Sequence, residues 1–109
     1  MPESFSQILN SDKPVLVDFH AEWCGPSKQM APEIKRFADA HKETVRVLKV
    51  DIDKNPKITS ELNIQGVPTL ILYKKGKILW RQSGAMNAQQ LEAVIKEKLP
   101  QRQEDTKKH

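Results

Sequence analysis

The chain has 109 residues, a net charge of +4, and 38% hydrophobic and 29% charged residues. That length bounds it to one compact domain, and the composition is globular rather than disordered. The basic residues are interleaved with acids and lack the aromatic spacing of a nucleic-acid surface, so nucleic-acid binding is not expected. No apolar run reaches the length of a membrane span, and the opening Met1-Pro2-Glu3-Ser4-Phe5 does not read as a leader. A single cysteine leaves no internal disulfide to staple the fold. A cytoplasmic protein is expected.

Along the chain, Phe5, Ile8 and Leu9 share a helical face, with Ser4 and Gln7 spaced as a capping box. After Pro14 the near-continuous apolar run Val15-Leu16-Val17-Asp18-Phe19 predicts a strand buried on both faces. From Pro26 to His41, the residues Met30, Ile34, Phe37 and Ala38 recur at helical spacing, interrupted by Pro32, which should kink the helix. Val45 to Ile52 alternates as a second strand, and Asn55-Pro56 starts a short helix with Asn55 as its N-cap. Thr69 to Tyr73 is a third strand, joined by the tight turn Lys75-Gly76 to a fourth over Lys77 to Gln82, on which Trp80 should pack. Asn87 caps a last helix whose apolar face is Leu91, Val94, Ile95 and Leu99.

The order α-β-α-β-α-β-β-α predicts an α/β fold: a parallel pair with a right-handed crossover, extended by an antiparallel hairpin. The expected result is a four-stranded mixed sheet flanked by helices on both faces. Residues 1–100 form the single domain and 101–109 a polar tail without fixed structure.

The chemistry converges on Cys24, in Trp23-Cys24-Gly25-Pro26-Ser27, between the buried first strand and the second helix. A lone cysteine is commonly a small buried hydrophobe. At a helix N-terminus, however, unpaired N–H groups and the macrodipole favour negative charge, hence the thiolate, which is the nucleophilic form. Gly25 and Pro26 suit a tight entry into the helix. Cys24, His20, His41 and His109 lack metal-ligand spacing, so no metal is expected.

These residues, with Val15 to Phe19, Ala21 to Pro26, Lys28, Ala31-Pro32, Val50 to Asp53, Gly66 to Leu70 and Gly84, resemble the thioredoxin family from about Pro14 to Leu99. The resemblance implies the thioredoxin fold, with its usual N-terminal strand missing, so that Val45 to Ile52 becomes a sheet edge. It implies no cofactor, disulfide-containing protein substrates, and a flavin-dependent thioredoxin reductase as partner. It gives Cys24 the role of attacking nucleophile and puts Ser27 where the resolving cysteine belongs. Asp18 is then the proton-transfer group for that cysteine, and Lys49 its neighbour. Pro68 follows a cis bond, and Trp23, Val67, Pro68 and Gly84 contact substrate, Val67 as a contact rather than as core. His20 stands where many thioredoxins carry tryptophan.

Serine forms no disulfide, so an adduct on Cys24 has no internal thiol to release it. With the other motif positions intact, the chain reads more readily as a trapping variant of a dithiol protein, with a natural monothiol protein as the alternative. A monomer is expected, with a disulfide-linked dimer through Cys24 available to it. A monothiol glutaredoxin shares the Cys-Gly-x-Ser pattern, but Trp23 and the Lys74 to Lys77 hairpin speak for thioredoxin. The remaining alternative is a non-catalytic binding module with a thioredoxin fold.

Overall fold

A computed structural model describes residues 4–99. The elements, in chain order, are α1 (Phe5–Leu9), β1 (Val15–His20), α2 (Gly25–His41), β2 (Arg46–Asp51), α3 (Pro56–Glu61), β3 (Thr69–Lys74), β4 (Lys77–Ser83) and α4 (Ala88–Lys98). The expected tail 101–109 lies outside the described residues. No helix among the described residues is long and apolar enough to cross a membrane.

The sheet order is β2-β1-β3-β4, with β1 parallel to β2 and antiparallel to β3, and β3 antiparallel to β4. It is a four-stranded mixed sheet, as the order of elements predicts. Central β1 and β3 are buried along nearly their whole length, which is why both read as continuous apolar runs. No strand precedes α1 among the described residues, and β2 is an edge of the sheet.

Alternation along the strands divides the core into two layers. Leu16, Leu70 and Leu72 pack with Met30, Ile34 and Phe37 of α2 and Leu91 and Ile95 of α4, with Trp80 half-buried against them. Val15, Val17, Phe19, Ile71 and Tyr73 face the other way, against Leu9 and the half-buried Phe5, Ile8, Ile58 and Leu62. Helices thus cover both faces. Asp18 shares its parity with Leu16 and so points to the α2 side.

The caps fix where the helices begin. Ser4 and Gln7 form the expected capping box, and Asn87 and Gln90 form a second. Replacing Asn87 by alanine should cost about 1 kcal/mol in urea unfolding, the usual value of an N-cap. Asn55 behaves otherwise. It stands at the N-cap of α3 without a side-chain cap bond, and its Nδ2 donates instead to the Asp51 carbonyl at 2.9 Å. Pro32 lies inside α2, which continues through it to His41.

Glu33 ties α2 to α4 by accepting the Ala88 N–H at 2.8 Å, at the start of α4. That bond, followed by the Arg36 side chain, holds the Glu33 carboxyl below its ordinary range. The hairpin turn has Lys75 at φ 52° and Gly76 at φ 81°, the left-handed pair that a two-residue hairpin requires. The Gly76 N–H donates to the Leu9 carbonyl at 2.8 Å, which docks the hairpin tip on the end of α1.

Candidate functional site

The buried strand β1 ends at His20 and a short turn delivers Cys24 to the N-cap of the 17-residue helix α2. Cys24 has extended backbone angles (φ −95°, ψ 111°), and its carbonyl accepts the first helical bond, from Lys28 N–H at 3.2 Å. Its Sγ takes the place of a capping oxygen: the Ser27 N–H donates to it at 3.4 Å. The sulfur also lies 3.3 Å from the carbonyl oxygen of Val67. Cys24 is 7% exposed, so a substrate must press its disulfide against the surface to reach the sulfur.

Pro26 occupies the first turn of α2, where its missing N–H costs nothing. Gly25 is different from what a tight turn suggests. Among the described residues the glycines with positive φ are Gly76 and Gly84, and a Cβ on Gly25 would meet nothing within 4 Å. Ordinary backbone therefore suffices at position 25.

Ser27 is buried, and its Oγ has no hydrogen-bond partner. Asp18 is 1% exposed, with Oδ1 likewise unpartnered. Burial pushes the Asp18 carboxyl above its ordinary value, partly offset by the neighbouring His20 and Lys49. Lys49 is exposed on edge strand β2 and is the register partner of Asp18. Asp18, His20, Ser27 and Lys49 line one cavity.

On the other side of Cys24, the Val67–Pro68 peptide bond is cis. Pro68 is buried, and its carbonyl accepts the N–H of Gly84 at 2.9 Å. Gly84 is exposed at φ 106°, a conformation that favours glycine, and a Cβ there would meet nothing within 4 Å. The Val67 side chain is half-buried and packs on the second core layer, so it is partly core while its carbonyl faces the sulfur.

Trp23 is 68% exposed, the largest exposed hydrophobic side chain of the described residues, and its Nε1–H donates to Asp53 Oδ2 at 2.8 Å. Sequence reasoning missed Asp53 as a partner of this ring. Thirty residues separate the two, and only the β1–β2 pairing brings them together. His20, two residues beyond Asp18 on β1, shares its face of the strand and the same cavity wall.

The arrangement can present one sulfur, capped by an N–H, beside an exposed aromatic ring and a loop of accessible backbone. Against known proteins, the family model described as Thioredoxin matches residues 1–97. The chain is 47% identical over 92 residues to a thioredoxin of Alicyclobacillus acidocaldarius subsp. acidocaldarius, spanning 84% of this chain and 88% of that protein. It is 45% identical over 94 residues to a thioredoxin of Acidithiobacillus ferridurans, spanning 86% and 87%. Thioredoxin Y2, chloroplastic, of Arabidopsis thaliana is 43% identical over 101 residues, 92% of this chain and 60% of that protein. With a matching family model across nearly its whole length and two bacterial relatives well above a third identical, the chain belongs to the thioredoxin family.

Proposed function

We propose that this chain is a thiol–disulfide oxidoreductase that attacks protein disulfides through Cys24 and stops at the mixed disulfide because Ser27 offers no second thiol. The observation that carries this reading is the Ser27 N–H aimed at Cys24 Sγ at the N-cap of α2, a donor suited to a thiolate. The thiolate attacks one sulfur of the substrate disulfide, the other leaves as a thiolate, and a Cys24–substrate disulfide remains. Exposed Trp23, the Val67–Pro68 loop and Gly84 form the docking surface around the sulfur. Asp18 is the buried acid that would serve a thiol at position 27, with Lys49 beside it.

The partners on this reading are disulfide-bearing proteins and a thioredoxin reductase, and the compartment is the cytoplasm. The protein acts as a monomer, with a Cys24–Cys24 disulfide as its one covalent dimer. Incubation with insulin under non-reducing conditions should yield a covalent adduct that dithiothreitol dissolves. Cys24→Ser should abolish it entirely. Capture that survives this substitution would instead identify a binding module.

A further inference from the structure

The connection from β4 to α4 is pinned to α2 at two points. The Met86 N–H donates to Met30 Sδ at 3.4 Å, and the Ala88 N–H donates to Glu33 at 2.8 Å. Beside these pins lies a groove of about 200 Å³, walled by Gln29, Glu33, Ala85 and Asn87, with the buried Met30 and Met86 as its floor. A methionine floor follows the shape of what lies on it, because the thioether chain is flexible and polarizable. Walls already held in place add little ordering cost when a side chain settles between them.

The groove is continuous with the surface around Cys24. The sulfur faces the Val67 carbonyl, the Pro68 carbonyl accepts the Gly84 N–H, and Ala85 follows on the rim of the groove. On α2, Gln29 stands five residues past Cys24, about 7.5 Å along the helix axis. An extended peptide advances about 3.3 Å per residue and turns every second side chain to the same face. The residue two places from a substrate's disulfide cysteine thus faces the protein together with that cysteine, about 6.6 Å away. We propose that the groove is a selection subsite, which takes an apolar side chain two residues from the substrate's disulfide cysteine, on one side of it in sequence. The inference rests on Cys24 being the nucleophile. Gln29, Met30 and Met86 then decide which protein disulfides are attacked fastest: those flanked by an apolar residue at that spacing.

The test uses the full chain and short peptides that carry one cysteine, joined through a disulfide to 5-thio-2-nitrobenzoate. Attack of Cys24 on the peptide sulfur expels the coloured thiolate and leaves the peptide on Cys24. The peptides carry leucine, alanine or glutamate two residues before or two residues after the cysteine. Each rate is divided by that of the same peptide with 2-mercaptoethanol. Leucine should outpace alanine about tenfold at one of the two positions and not at the other, roughly what two buried methylenes contribute. Gln29→Lys places a charge on the exposed rim. It should cut the leucine advantage and speed the glutamate peptide about two- to fivefold, as an exposed ion pair allows. Met30→Leu, which keeps the volume and removes the acceptor of the Met86 N–H, should also reduce the leucine advantage. Equal corrected rates for leucine and alanine at both positions, the same leucine advantage at both, or an advantage that Gln29→Lys leaves intact overturns the subsite, even if the Met30 variant fails to fold. No release of colour at all would overturn the nucleophile reading instead.

Discussion

Replacing Ser27 by cysteine should raise catalysis of insulin reduction by dithiothreitol at least about a hundredfold, a conservative share of what a well-oriented neighbouring group supplies. Residue 27 lies in the first turn of α2, and its N–H already points at Cys24 Sγ at 3.4 Å. A thiol there attacks the mixed disulfide as an intramolecular nucleophile, with an effective concentration on the order of 10⁵ M or more. Dithiothreitol supplied at millimolar concentration has to reach a sulfur only 7% exposed. The serine is buried without a hydrogen-bond partner for Oγ, so the exchange breaks no bond of the native structure. An unchanged rate would show that release of the adduct is not what limits the Ser27 form.

Stability should fall as pH rises through the titration of Asp18, and Asp18→Asn should remove that fall. Burial raises the folded-state value above 3.8, so the folded protein holds this proton more tightly than the unfolded chain. Between the two values the native state binds more protons, and the unfolding free energy therefore decreases with pH. Above the folded-state value the whole penalty is present. Asparagine keeps the shape without the charge, so the variant should gain on the parent up to a plateau above the folded-state titration of Asp18. The plateau should amount to about 1.4 kcal/mol for each unit by which burial raises the titration of the Asp18 carboxyl. Urea unfolding across the acid-to-neutral range measures it, and parallel pH profiles for the two proteins would contradict the assignment.

Much of this architecture is legible in local patterns. The 3.6-residue spacing of Met30, Ile34 and Phe37 marks α2, and the Lys75-Gly76 pair marks the hairpin, because both signals depend on near neighbours alone. The attacking sulfur is legible because a strand-to-helix junction can be read on either side of Cys24. Contacts across the fold are not. Nothing near Asn55 says that its amide prefers the Asp51 carbonyl to the helix it begins. Likewise, the Trp23–Asp53 bond and the placing of Lys49 opposite Asp18 depend on the β1–β2 register, a long-range pairing that local periodicity does not encode. The cis bond before Pro68 was reached through family likeness, since proline alone favours the trans form.

The hairpin tip at Lys75-Gly76 is exposed, and exposed two-residue turns are where foreign peptides are ordinarily grafted. Here that choice would go badly. Gly76 sits at φ 81°, where any side chain is strained, and the turn's own N–H already belongs to Leu9. The tip is a seam between two layers of the molecule, and lengthening it would pry α1 away from the sheet that it covers.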